Sequence, residues 1–225
     1  MGTVAVLRAA GVGSGDEVIV PAYGNVGVAE AVVLAGAMPV FADIDPETYC
    51  LDPGAVDAVA TSRTAAVVAV HRFGNQADID GLRDVGQRHG FTVLEQGEPD
   101  APSDGLARRR VHALYLNARL KGVLTPAESL AHRYQQYVVR VPGNGRPDRD
   151  AFARAVRVKG VECRVPVKTP LHRTPQFWRD IELPETERAA DETLALPVDA
   201  WLTRRELQRI VSACNALGGL LNAAF

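Results

Sequence analysis

Four short apolar runs, most of them followed by a helical pattern, recur across the first hundred residues. Val18-Ile19-Val20 is set up by Gly11-Val12-Gly13-Ser14-Gly15-Asp16 and closed by Pro21; Pro39 to Asp43, Ala65 to His71 and Phe91 to Glu95 repeat the theme. Between them, Ala29 to Ala35 reads as a small-residue helix stopped by Gly36. Asp78 to Gly90 reads as an amphipathic helix, with Ile79, Leu82 and Val85 on one face and Gly90 as its C-terminal stop. Strands this continuously apolar need cover on both faces, which a parallel sheet between helices provides. Ligands on such sheets sit at the carboxyl ends of the strands. Here those ends are Pro21-Ala22-Tyr23-Gly24-Asn25, Asp43-Ile44-Asp45, His71-Arg72-Phe73-Gly74 and Glu95-Gln96-Gly97-Glu98.

The pattern changes after Pro99 to Gly105, a loop by composition. Leu106 to Gly122 reads as a basic helix and Tyr134 to Arg140 as a half-exposed antiparallel strand, followed by a turn at Pro142-Gly143-Asn144-Gly145. Asp150 to Lys159 reads as a helix capped by Asp148, and Cys163 to Val167 as a short strand. Glu185 to Leu194 and Thr203 to Leu221 read as helices, the latter opened by the capping box Thr203-Arg204-Arg205-Glu206. The expected organisation is therefore a shortened α/β domain over residues 1–105 and a small α+β domain over 106–225.

Composition removes several classes of function. With 47% hydrophobic residues, 23% charged residues and a net charge of -2, the chain is globular and a poor nucleic-acid binder. No charge-free apolar run approaches a membrane span, and the N-terminus lacks a signal pattern, so a soluble cytoplasmic protein is expected. Cys50, Cys163 and Cys214 lie too far apart to suggest a disulfide framework or a zinc site. Lysine is scarce: Lys121, Lys159 and Lys168 stand against twenty-two arginines. Arginine cannot replace lysine in imine chemistry, because its guanidinium stays protonated.

Linked motifs then carry a resemblance. Gly13-Ser14-Gly15-Asp16-Glu17-Val18-Ile19-Val20-Pro21 resembles the GxGDEVIVP segment of the DegT/StrS family of sugar aminotransferases, which use pyridoxal phosphate (PLP). The likeness continues through Gly36 to Asp45, Thr48 to Pro53, Val70 to Asn75 and the helix holding Asp78-Ile79-Asp80. It resumes at Arg108-Arg109-Arg110, His132-Arg133-Tyr134, Tyr137 to Arg140 and Pro170-Leu171-His172, and ends with the terminal helix after Leu196-Pro197. The resemblance implies the aminotransferase fold, internally shortened.

It also implies four cofactor elements, each of which this sequence departs from. The imine-forming lysine falls between the strand matching Phe91 to Glu95 and the helix matching Arg108 to Tyr115, where Gln96 to Ala107 holds no lysine. The aspartate facing the pyridine nitrogen matches Gln96, which cannot stabilise a pyridinium by charge. The aromatic stacked on the ring matches Asn25. The Gly-Thr of the phosphate cup has a remnant in Gly2-Thr3, before a helix about one turn short. Pro99 stands where a Gln or His lies near the cofactor hydroxyl. No cofactor and no metal are therefore expected, although the family implies PLP.

What remains is a polar crevice at the strand ends. His71 and Glu95 are the candidate acid/base pair, and Tyr23, Asn25, Gln96, Glu98, Lys168 and His172 the candidate substrate contacts. A scaffold role for His71 and Glu95, satisfying loop backbone, is the competing reading. Trp178 and Trp201 read as core or interface aromatics, and the arginine cluster as a solvated face. The resemblance points to small-molecule chemistry in nucleotide-sugar or natural-product biosynthesis. The expected activity is that of a cofactor-independent enzyme or binder. The alternatives are a non-catalytic partner of an intact aminotransferase, or a PLP enzyme with a rearranged site. A homodimer or such a heterodimer is implied, with no nucleic acid and no membrane.

Overall fold

The computed structural model describes residues 2–24, 26–97 and 105–221, with side chains up to 217. Two compact units emerge. The first joins Met1–Arg72, Gln76–Glu98 and Thr169–Glu187; the second joins Phe73–Asn75, Pro99–Lys168 and Arg188–Phe225. The α/β class expected from the apolar runs is present.

In the first unit, four parallel strands, β1 (Glu17–Pro21), β2 (Met38–Ala42), β3 (Thr64–Val70) and β4 (Thr92–Gln96), lie in the order β2-β1-β3-β4. Alternation along each strand splits the core in two. Val18 and Val20 of β1 and Val68 and Val70 of β3 pack with helices α1 (Thr3–Ala9) and α2 (Val26–Ala35). Ile19, Val67 and Ala69 face the other way, onto α3 (Pro53–Val59) and α4 (Ile79–His89). The expected helix at Asp78 to Gly90 forms as α4, with Asp78 accepting from the Gly81 N–H and Gly90 closing it in the left-handed region at φ 83°. Helix α3 adds to the expected elements, and Asp52 followed by Pro53 is its start signal: the Asp52 carboxylate accepts from the N–H groups of Gly54 and Ala55.

The late segment Thr169–Glu187 belongs to this first unit rather than to the second, as its motifs alone do not reveal. Leu171, Phe177 and Leu183 join the same apolar cluster as β1 and β3, with Phe177 edge-on to Phe41 at 6.1 Å. The Leu171 N–H donates to the Ala22 carbonyl at 2.9 Å. Asp43, at the end of β2, accepts from the N–H groups of Glu185 (3.0 Å) and Thr186 (2.8 Å), capping a helix 142 residues away in the chain.

The second unit contains α5 (Leu106–Asn117), β5 (Tyr137–Arg140), α6 (Arg146–Val158), the end of α7 (Pro184–Glu192), β6 (Thr193–Leu196) and α8 (Arg204–Leu221). Strands β5 and β6 form an antiparallel pair whose Tyr137, Val139, Leu194 and Leu196 bury with Leu116, Phe152, Val156 and Ile210. Four expectations need correction. The basic helix stops at Asn117 rather than Gly122. Asp148 is not an N-cap: α6 begins at Arg146, with Pro147 in its first turn, and the Asp148 carboxylate instead accepts from the Asn144 N–H at 2.7 Å. Cys163 to Val167 forms no strand, only a single bridge between Arg164 and Ala195. The helix expected to reach Leu194 ends at Glu192, because Thr193 to Leu196 is taken by pairing with β5. The capping box at Thr203 forms as expected, with the Thr203 N–H donating to Glu206 at 2.7 Å.

Candidate functional site

The strand order reverses at β1, since β2 lies on one side of it and β3 on the other. The carboxyl ends of β1 and β3 therefore flank the crevice where sheets of this kind hold ligands. His71 follows β3, and its N–H donates to the Gln96 carbonyl at 3.1 Å, so the ends of β3 and β4 are tied together. Its ring is fixed from the other side, because Nδ1 accepts from the Ala77 N–H at 3.0 Å. The neutral ring consequently carries its proton on Nε2. That atom faces Glu95 Oε2 at 4.0 Å, with both side chains partly exposed. The other carboxylate oxygen of Glu95 is held by Arg83 at 2.9 Å.

This geometry has a definite chemical sense. A separation of 4.0 Å is too long for a direct hydrogen bond and too short to seat an oxygen in line between the two atoms, but one hydroxyl placed beside the pair can reach both. Such a hydroxyl would accept from His71 Nε2–H and donate to Glu95. The tautomer also argues against His71 as a proton acceptor, since both ring nitrogens are already committed. Scaffold and ligand roles coexist in this histidine: one nitrogen holds the loop, the other faces the crevice.

The remaining predicted residues are distributed unevenly. Gln96 is half-buried, and its side-chain oxygen accepts from Thr3 Oγ at 3.3 Å, joining the start of α1 to the end of β4. A cavity of about 250 Å3 opens beside this pair, lined by Val6, Leu7, Leu94 and Glu95 among others. Tyr23 is fully buried, stacked on Tyr49 at 5.8 Å with the Arg72 guanidinium over its ring, and so belongs to the interior. His172 is fully buried as well; its Nε2 pairs with Glu187 at 2.9 Å and its Nδ1 lacks a hydrogen bond. Burial alone would raise the Glu187 pKa, but hydrogen bonds from His172 and Arg173 hold it below its ordinary value. Asn25 and Glu98 lie outside the described residues. Lys168 is exposed and ends a stretch of the second unit.

Arg83 and Thr3 carry no sequence signal for these contacts. Arg83 lies on the polar face of α4, where nothing in the sequence marks it as the partner of Glu95. In the sequence, Thr3 stands out only within the phosphate-cup remnant.

All three lysines belong to the second unit: Lys121 beside α5, Lys159 at the end of α6, and Lys168. The unit that carries the strand ends therefore holds no side-chain primary amine. That second unit also contains a larger cleft of about 400 Å3 lined by Gln135, Gln136, Glu162, Cys163, Arg164 and Asp199, among others. Burial pushes the Cys163 thiol above its ordinary pKa, so it is not a reactive thiolate. Among the described residues, no group of three or more metal-ligating side chains gathers anywhere, and no helix is long and apolar enough to cross a membrane.

Comparison with known proteins sharpens this picture. An L-glutamine:2-deoxy-scyllo-inosose aminotransferase of Streptomyces fradiae is 38% identical over 224 residues, covering 98% of this chain and 50% of its own length. A pleiotropic regulatory protein of Geobacillus stearothermophilus is 28% identical over 299 residues, covering 91% of this chain and 79% of its own. That alignment is longer than the whole 225-residue chain, so a long stretch of the relative meets a gap here. The NtdA structure from Bacillus subtilis, with the cofactor PMP bound, shares the fold at a TM-score of 0.87 and 19% identity, covering 97% of this chain and 71% of that one. The profile of the DegT/DnrJ/EryC1/StrS aminotransferase family matches residues 2–98 and 103–215, breaking just after β4. With both segments matched, the chain belongs to the DegT/DnrJ/EryC1/StrS aminotransferase family.

Proposed function

We propose that this chain binds a hydroxylated ring, a sugar or cyclitol ketone, at the carboxyl ends of β3 and β4, and that it does so without lysine-bound PLP. The observation that carries the reading is the chemistry of the donor set. The unit bearing the strand ends has no amine to form an imine, and the residue after Glu95 is a neutral amide engaged by Thr3. These residues do not fit a lysine-bound pyridinium, so no step is routed through one. They suit a polyol instead: His71 Nε2–H and the Arg83-held Glu95 carboxylate present a donor and an acceptor side by side to a hydroxyl approaching the pair. The ring class follows the S. fradiae relative, whose name records an inosose. The place of the chain is thus within sugar or natural-product biosynthesis, as a binder or as a catalyst needing no cofactor.

Two measurements test the proposal. The purified chain is mixed with PLP, scanned for an imine band, reduced with borohydride and analysed by mass spectrometry. No lysine adduct is expected, and a stoichiometric adduct at Lys168 would overturn the reading. In parallel, calorimetric titration with scyllo-inosose should show binding that Glu95→Gln weakens at least ~10-fold, the scale of one charge-assisted hydrogen bond.

A second reading rests on α2. Its sequence Val26–Ala35 is apolar apart from Glu30, and Val26, Val33 and Leu34 remain exposed. A helix of this kind is normally covered. Co-purification with an intact family aminotransferase, lost on Leu34→Glu, would favour a non-catalytic partner role.

A further inference from the structure

The two edges of the four-stranded sheet are built differently. On β2, Pro39 removes a backbone donor, a common way to stop an edge from pairing. On β4, Thr92-Val93-Leu94-Glu95-Gln96 has neither proline nor lysine, and its register with β3 runs without a bulge from Ala66–Thr92 to Val70–Gln96. Among the described residues, neither proline, lysine nor a bulge blunts this edge.

The outward backbone groups can be identified. Because the His71 N–H donates to the Gln96 carbonyl, the backbone of Gln96 faces β3, and by alternation so do those of Leu94 and Thr92. The N–H and C=O groups of Val93 and Glu95 therefore point to the open edge, where among the described residues no strand meets them. On one face beside that edge, Leu94 borders the 250 Å3 cavity with Val6, Leu7 and Val68. A parallel edge without proline, lysine or bulge, with apolar surface next to it, is a pairing site.

We propose that β4 is the surface through which two copies of this chain join, antiparallel about a two-fold axis at Leu94, so that the two four-stranded sheets become one. The strand is self-complementary in this register. Val93 lies opposite Glu95 of the second copy and Glu95 opposite Val93, giving four N–H···O bonds from the outward residues. Leu94 meets its own counterpart in a non-hydrogen-bonded pair, where Cα atoms approach to about 4.5 Å and side chains pack closest. Each carboxylate faces a valine and keeps its own Arg83, so like charges are not directly opposed. A two-fold axis at Glu95 would oppose the carboxylates, and one at Val93 would set Glu95 against Phe91 and lose the leucine pair. This interaction is independent of the ligand reading above.

The test uses the full chain and reads mass in solution. Sedimentation velocity should show a concentration-dependent dimer. Leu94→Lys places two ammonium groups opposite each other and should raise the dimer dissociation constant at least ~10-fold. In a Cys163→Ser background, Leu94→Cys should form an intermolecular disulfide under mild oxidation, since the close pair falls within bridging range. Thr92→Cys, which faces Gln96 and not itself, should not. A chain that stays monomeric throughout the micromolar range overturns the proposal, as does a dimer that Leu94→Cys fails to capture. If Leu94→Lys fails to fold, as judged by circular dichroism, the cysteine pair alone decides.

Discussion

Acidification should destabilise this protein through one buried imidazole, His132. Only 3% of its surface is exposed, its ring stacks on Tyr134 at 4.0 Å, and its Nδ1 accepts from the Tyr134 N–H at 2.8 Å. A proton on Nδ1 would meet that N–H head-on. Burial, aided by the positive charge of Arg110, pushes the His132 pKa from 6.5 down to about 4. The sign follows directly. Between those values the unfolded imidazole binds a proton that the folded one refuses, so stability is full above about pH 6.5 and is lost as pH falls towards 4. At 1.36 kcal/mol per tenfold change, the loss amounts to about 3 kcal/mol. Other groups titrate too, so the measurement is a difference. Urea unfolding is followed at pH 7 and pH 4 for the native chain and for His132→Asn, whose amide oxygen can replace Nδ1 without titrating. The native chain should lose about 3 kcal/mol more than the variant. Parallel losses, within about 0.5 kcal/mol, would refute the reasoning.

Two further predictions follow from backbone contacts. Asp43→Ala removes the carboxylate that accepts from the Glu185 and Thr186 N–H groups and should cost about 1–2 kcal/mol, with faster amide exchange at both positions, whereas Asp43→Asn keeps one of the two acceptors and should cost less. Gly74→Ala adds a methyl group 2.7 Å from the Tyr134 nitrogen at a φ of +97°, where neither backbone can easily yield; it should cost more than about 2 kcal/mol and lower Tm by at least ~4 °C.

The parallel sheet was legible because each strand announces itself locally. Val18-Ile19-Val20 and Ala65 to Val70 are apolar on both faces, and turn residues bound them. The second unit was harder, since its strands exist by partnership. Thr193 to Leu196 continues a helical pattern without a breaker, and only its pairing with Tyr137 to Arg140 makes it extended. Cys163 to Val167 has strand-like composition but no neighbour beyond a single bridge. At the candidate site, the residue types at the strand ends could be read but their commitments could not. That His71 spends Nδ1 on Ala77, and that Arg83 reaches Glu95, depend on loop and helix placement that spacing does not encode. The chemistry of Tyr23 and His172 is legible in the sequence, whereas their enclosure is a property of packing.

The return of Thr169–Glu187 to the first sheet sets a timetable for synthesis. The last strand of that sheet is complete at Gln96, yet Leu171, Phe177 and Leu183, which share its core, are translated only after the intervening stretch of the second unit. At ~5–20 residues per second, the nascent sheet waits roughly 4 to 17 s for them. During that interval the apolar face that they will cover stands open on the ribosome, together with the bare edge of β4. The cell must hold that half-built sheet apart from its neighbours until the chain comes back to it.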